Sequence, residues 1–397
     1  MKKIALINQR YGLEVNGGSE LYTRMIAEKL SEKYDVEVLT SCAVDYVTWK
    51  NQYKPGVSEV NGIKVRRFPT HHERQPKVFT ALDIDMHLTL DIPAEKAEKW
   101  IEEMGPYVPD LIEYLKEHKE EYDVVIVVTY LYYQAVKSIP VVADRLIFIP
   151  TAHQEPYLHF RLYEPNFKMP KAYVFLTDEE RRLVQNQFHV ENIKNDVMGV
   201  GIDVPADIDS SSFKKKYGLE RYIVYVGRID YGKDCHKMFQ YFLEYKKRNQ
   251  DDLKLVLMGK AVMKIPKHED IISLGFVSDE DKFNGIQGAE ALILPSKYES
   301  LSISVLEAME LKRAVLVNGI CDVLKGHCTK SNGGLYYTNY FEFEGCLRHL
   351  KEHPDIWKQM GENGYQYVNT YFKWDIIMEK FDRIIAYVSE NKEDTRE

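Results

Sequence analysis

The chain has 397 residues, 45% of them hydrophobic and 29% charged, with a net charge of −8. That length exceeds what one core ordinarily supports, so two lobes are expected, and the composition excludes a disordered chain. The acidic balance argues against a nucleic-acid-binding protein. Five cysteines (Cys42, Cys235, Cys321, Cys328 and Cys346) are odd in number and include no C-x-x-C pair, which indicates neither a disulfide framework nor a zinc site and favours a reducing cytoplasm.

Taken in chain order, Met1-Lys2-Lys3 followed by Ile4-Ala5-Leu6-Ile7 is too short an apolar stretch for a signal peptide or a membrane span. It reads as a buried first strand, Lys3–Asn8. Further near-continuous apolar runs follow at Val36–Thr40, Val124–Thr129, Leu146–Pro150 and Tyr173–Leu176, the pattern of parallel strands covered on both faces. Lys64, Arg66, Arg67, His71, His72, Arg74 and Lys77 form a basic stretch that reads first as a solvated loop and second as a peripheral contact with phosphate or the inner face of a membrane. From about 71 to 122 the rhythm breaks into an irregular segment (Asp83, Asp85, His87, Asp91, Pro93) and then helical stretches, an insertion suited to specificity. Met198-Gly199-Val200-Gly201-Ile202-Asp203-Val204-Pro205 reads as a hinge.

The pattern then restarts. Strands are expected at Arg221–Val226, Leu253–Met258, Ile271–Leu274, Ala291–Leu294 and Ala314–Val317, with helices near Lys233–Arg248, Asp279–Gly288 and Ser304–Leu311. The expected division is 1–203, 204–373 and a final helical stretch in 374–397, whose run Ile376–Val388 would pack back across the hinge onto the first lobe. Each lobe is a doubly wound α/β unit, and in open parallel sheets ligands sit at the carboxyl ends of strands, in a cleft if two such lobes face each other.

Three stretches carry chemistry. Asn16-Gly17-Gly18-Ser19-Glu20 precedes the helix Leu21–Leu30, where glycines allow close backbone approach and free N–H groups suit an anion or a sugar's oxygens; an ordinary turn is the alternative. Val226-Gly227-Arg228-Ile229-Asp230-Tyr231-Gly232-Lys233-Asp234 places two cations, Arg228 and Lys233, between a strand and a helix, where they can grip a diphosphate and stabilise charge on it as it leaves. Pro295-Ser296-Lys297-Tyr298-Glu299-Ser300-Leu301-Ser302-Ile303-Ser304-Val305-Leu306-Glu307-Ala308-Met309 puts Glu299 in a loop and Glu307 in the following helix. At about 1.5 Å rise per helical residue these carboxylates are too far apart for an acid/base dyad, but they can hold two ends of one ligand. The N–H groups around Ser300, Leu301, Ser302 and Ile303 face an anion with the helix dipole behind them. Glu307 sits among Val305, Leu306, Ala308 and Met309, so it needs a partner.

The set G-G-S-E, V-G-R-I-D-x-G-K, G-F-V-S-D-x-D-K (Gly275 to Lys282), P-S-x-Y-E-S-x-S-x-x-V-L-E-A-M and G-G-L-Y (Gly333 to Tyr336) resembles glycosyltransferase family four, retaining enzymes of the GT-B fold with two Rossmann-like domains. The resemblance implies a glycosyltransferase that takes a UDP- or GDP-sugar and a hydroxyl acceptor, whether glycan, lipid-linked or small molecule. It implies that Glu299 binds donor-sugar hydroxyls, Glu307 the ribose diol, and Arg228 and Lys233 the diphosphate. Gly17 and Gly18 would approach donor and acceptor, while Gly227, Phe276 and Val277 would lie at the strand ends that meet the nucleotide. His153, ahead of His159, matches the family's histidine near the donor sugar.

Ser300 and Ser302 stand where the family usually has glycines, and Asn318-Gly319-Ile320-Cys321-Asp322-Val323-Leu324 replaces the more common run after the penultimate strand. Both departures bear on donor identity. No D-x-D motif is placed at a strand end, so charge stabilisation by cations and helix N-termini is expected instead of a metal. Another GT-B activity, such as an epimerase or an inverting transferase, or a non-catalytic sugar-nucleotide binder, is the alternative.

Overall fold

A computed structural model of the chain describes residues 1–15, 17–88 and 92–391. Asn16 of the glycine motif, Asp91 of the expected irregular segment and the chain from 392 on lie outside the described residues. The chain divides into two compact units, one made of Met1–Val200 with the chain from Ile377 on, the other of Gly201–Ile376.

The first unit opens with β1 (Lys3–Ile7), α1 (Gly18–Ser31), β2 (Asp35–Ser41), β3 (Gly56–Val60), β4 (Ile63–Phe68), α2 (Pro76–Leu88), α3 (Ala94–Met104) and α4 (Pro109–His118). It continues with β5 (Val124–Val128), α5 (Tyr133–Val142), β6 (Leu146–Ile149), α6 (Glu164–Phe167), β7 (Ala172–Phe175), α7 (Asp178–Phe188) and β8 (Lys194–Val197). The sheet order is β3-β4-β2-β1-β5-β6-β7-β8, parallel except for the β3–β4 hairpin. Every residue of β5, β6 and β7 is buried, as continuous apolar runs require when helices cover both faces. The order reverses between β1 and β5, so the loops after these strands border a crevice.

One expectation for this unit is overturned and another holds only in part. Residues 76–88, expected to be irregular around Asp83, Asp85 and His87, form α2. Phe79, Leu82 and Met86 recur at helical spacing on its core side, and Asp83 accepts hydrogen bonds from Trp100 Nε1 and Tyr157 OH at 3.1 Å each. The basic stretch is solvated only in part: Lys64, His71, His72 and Lys77 are exposed, whereas Arg66, Arg67 and Arg74 are held against the protein. Lys64 and Arg66 lie 3.3 and 2.9 Å from the buried Glu37 carboxylate, and Arg67 stacks 3.9 Å over the Tyr53 ring and donates to Tyr11 O. Arg74 is anchored on Glu103 O beneath the Trp49 ring, and His71 meets Asp110 at 2.8 Å. Guanidinium groups stack and form forked hydrogen bonds, so a basic run can serve as internal mortar.

The second unit contains α8 (Ser210–Tyr217), β9 (Tyr222–Val226), α9 (Cys235–Arg248), β10 (Lys254–Met258), β11 (Ile271–Gly275), α10 (Asp279–Gly288) and β12 (Ala291–Leu294). There follow α11 (Ile303–Glu310), β13 (Val315–Asn318), α12 (Asp322–Ser331), β14 (Gly334–Tyr337), α13 (Tyr340–Glu352) and α14 (Pro354–Tyr371). Its sheet is wholly parallel in the order β11-β10-β9-β12-β13-β14, reversing between β9 and β12. The last helix, α15 (Trp374–Glu390), runs from the second unit into the first, where Lys380 Nζ donates to Val197 O at 2.5 Å and Tyr34 OH to Asp382 at 2.5 Å. Among the described residues no helix is long and apolar enough to cross a membrane.

Candidate active site

The carboxyl ends of β9, β10 and β11 are stitched by glycines. Gly227 N–H donates to Met258 O at 2.9 Å and Gly259 N–H to Gly275 O at 2.7 Å. A Cβ on Gly259 would lie 1.9 Å from Gly227 O, and both residues have a φ near +147° (+146 and +148), so only glycine allows the strand ends to cross this closely. Phe276, next after β11, is 75% exposed, and Val277 beside it is half-buried.

The loop after β9 is organised by Asp230. Its carboxylate pairs with the Arg228 guanidinium and accepts Lys233 N–H at 2.7 Å. Lys233 Nζ then donates to Glu299 Oε1 at 2.6 Å, and the buried Asp234 carboxylate lies 3.4 Å from Lys297 Nζ. Neighbouring residues of alternate charge thus join the loop after β9 to the loop after β12, the two loops flanking the reversal of strand order. Arg228 and Lys233, expected to meet a diphosphate, are each paired with a carboxylate of this unit, and their side chains are 41% and 32% exposed.

The loop carrying Glu299 is pinned at both ends. Asn318 Nδ2, at the end of β13, donates to Pro295 O at 2.8 Å, and His327 Nε2 on α12 lies 2.7 Å from Leu301 O. The sequence pattern singled out neither residue for this role: Asn318 appears there only within a family departure, and a lone helical histidine carries no signal. Ser302 has a left-handed backbone, φ 68°, and begins α11; Ser300 and Leu301 precede it and Ile303 opens the helix. Glu307 is buried on α11, and the partner it requires is Lys282 on α10, whose Nζ lies 2.8 Å from Oε1. Burial pushes the Glu307 carboxyl up, and Lys282 pulls it part of the way back.

The remaining sequence-predicted residues belong to the first unit. Gly17 and Gly18 start α1, but the position an anion would take is occupied from within. Glu20 accepts from Arg10 Nε at 2.9 Å and from Ser19 Oγ at 2.9 Å, and a Cβ on Gly17 would lie 2.0 Å from Glu20 Oε2. Beside Gly18 the space is open. His153 follows β6, its Nδ1 3.5 Å from Glu155 Oε1, which also accepts from Tyr130 OH at 2.6 Å; His159 contacts Gln154. Thr129 and Thr151, just past β5 and β6, adopt left-handed backbones (φ 67° and 50°), an unusual conformation for β-branched residues and one that clusters at functional sites. Glu180 on α7 fixes this region: its carboxyl accepts Ala152 N–H at 2.7 Å and Leu176 N–H at 2.6 Å, and burial pushes it up to about 8.

The family model described as "Glycosyl transferases group 1" matches residues 207–367. The matched stretch lies within the second unit. It holds Arg228, Lys233, Glu299, Glu307 and Lys282. The chain is 26% identical over 176 residues to the alpha-D-kanosaminyltransferase of Streptomyces kanamyceticus, a match spanning 41% of this chain and 45% of that relative, less than half its length. Among solved structures, sucrose-phosphate synthase from Thermosynechococcus elongatus is similar over 97% of this chain and 98% of its own, with TM-score 0.70 and 16% identity. Anabaena HepE, solved in complex with UDP-glucose, is similar over 97% and 100%, with TM-score 0.71 and 14% identity. The fold is GT-B, two parallel-sheet α/β domains, and the stretch that matches the group 1 model lies in the second.

Proposed function

We propose that the chain is a retaining glycosyltransferase of family four, moving a sugar from a nucleotide-diphosphate donor to a hydroxyl acceptor without a metal ion. The observation that carries this reading is the Lys233–Glu299 pair, which joins the two loops at the reversal of strand order inside the stretch that matches the group 1 model. A cation that neutralises a departing diphosphate and a carboxylate that accepts from sugar hydroxyls belong within one ligand's reach of each other. A donor entering there would exchange the internal pair for its own phosphate and hydroxyl groups.

In this scheme Arg228, Lys233 and the N–H groups of α11 meet the diphosphate, Glu299 holds the donor sugar, and Glu307, kept in place by Lys282, takes the ribose. Gly227 permits the backbone approach, and the exposed Phe276 with Val277 offers a surface to the base. The bond from the anomeric carbon to the phosphate oxygen breaks with its electron pair going to the diphosphate. The acceptor oxygen attacks on the same face and its proton passes to the leaving phosphate, as the family resemblance implies. In the first unit Glu20 already fills the start of α1 with negative charge, which disfavours a second anion and suits a neutral hydroxyl acceptor near Gly18. The UDP-glucose complex of the HepE structure makes uridine donors the first to test, GDP-sugars the second.

The test is product formation from a panel of UDP- and GDP-sugars with glycan, lipid-linked and small-molecule acceptors. Lys233→Ala and Glu299→Ala should lose transfer while the fold is kept, and the product should retain the donor's anomeric configuration. Wild-type turnover in either variant would overturn the assignment, and an inverted product would overturn retention.

A further inference from the structure

Three helices of the second unit begin in the ordinary way. Asp209 caps α8, Ser278 caps α10 and Asn339 caps α13, each with a negative φ and a side-chain oxygen accepting a first-turn N–H: Ser212 N at 2.9 Å, Asp281 N at 3.1 Å, and Phe341 N and Glu342 N at 3.0 and 3.1 Å. Ser302, at the start of α11, is a residue type equally suited to capping and does not cap. Its backbone is left-handed at φ 68°, ψ 79°, and its hydroxyl makes no capping hydrogen bond.

Three hydrogen-bond donors thereby gather at one place. Val305 and Leu306 N–H groups return to Ser302 O, but those of Ile303 and Ser304 have no intrahelical acceptor, as at any helix start. Ser302 Oγ has no hydrogen-bond partner among the described residues, although the residue is only 8% exposed. A glycine would take this backbone at no steric cost, so the strain is kept together with a buried, unused hydroxyl. The surroundings select the ligand. Arg228 and Lys233 stand on the facing loop, and a group of donors without acceptors fits an oxygen anion.

We infer that the Ser302 hydroxyl is a donor-binding group, giving a hydrogen bond to a phosphate oxygen of the nucleotide diphosphate beside the open N–H groups of α11. This rests on the donor-site reading above and goes beyond it, because it assigns a role to the side chain where backbone alone would suffice.

Stability and binding should move in opposite directions, which a structural role would not produce. Ser302→Gly relieves the left-handed strain and should melt higher than wild type, yet bind UDP or GDP about tenfold more weakly, the size of one hydrogen bond to a charged oxygen. Ser302→Ala keeps the strain but removes the unpaired buried hydroxyl, so it should melt no lower than wild type and show the same loss of affinity. Calorimetric titration of UDP and of GDP into wild type, both variants and Lys233→Ala reads each effect. Wild-type affinity in both Ser302 variants, with Lys233→Ala weakened, would overturn this inference and leave the donor site standing. Failure of the wild-type protein to bind either nucleotide would overturn both.

Discussion

Two ion pairs, one in each unit, stand beside helices that follow sheet strands, and their surroundings are opposite. Arg10 and Glu20 are buried, with side chains 7% and 6% exposed, and Glu20 closes the start of α1 with the protein's own charge. Lys233 and Glu299 are 32% and 13% exposed, and the start of α11 nearby is left uncapped. Burial decides what such a pair is for. A sealed pair cannot exchange partners without stranding a charge, so it is architecture, whereas an accessible pair can trade its partner for a ligand.

The sharpest way to break that comparison is Arg10→Ala. It strands Glu20 in the interior and should cost about 3–5 kcal/mol of stability by chemical denaturation. A loss as small as that of a surface pair would remove the distinction. Lys233→Ala should do the reverse, costing under about 1 kcal/mol of stability. Its transfer rate should fall about 100- to 1000-fold, the scale of losing one group that stabilises transition-state charge.

A third prediction concerns pH. The Glu180 carboxyl is pushed up to about 8 from an ordinary 4.5, so the folded state holds a proton that the unfolded chain releases. Stability from this group is full below about 4.5, falls as pH rises toward about 8, and is level above. Melting temperatures across that window should decline in wild type and lose this component in Glu180→Ala; an unchanged slope would refute the assignment. The smallest effect is expected from metal removal: chelator treatment should leave transfer near its untreated rate, and a loss restored by a divalent cation would replace the cation-only scheme.

Much of the fold was legible in the residues because buried parallel strands must be apolar throughout. Ala291–Leu294 and Asp279–Gly288 have the bounds expected, and Val124–Val128 and Leu146–Ile149 differ by one residue. The strands that escaped notice are β3, β4, β8 and β14, at or next to sheet edges. There exposed or charged residues interrupt the apolar run, as in Lys194–Val197, whose sequence is KNDV. Helix α2 was missed for another reason: acidic residues at 83 and 85 obscured the helical spacing of Phe79, Leu82 and Met86.

What the sequence by itself determined is the succession of the buried central strands and the chemical types of Lys233, Glu299 and Glu307, because these follow from periodicity and from motifs carried within short stretches. Only the tertiary structure decided which charges pair, that Lys282 answers Glu307 and that Arg10 answers Glu20, because those partners come from separate elements. It also decided that Ser302 turns left-handed and does not cap α11, since a backbone angle is set by what the surrounding loops enforce and not by the residue that adopts it.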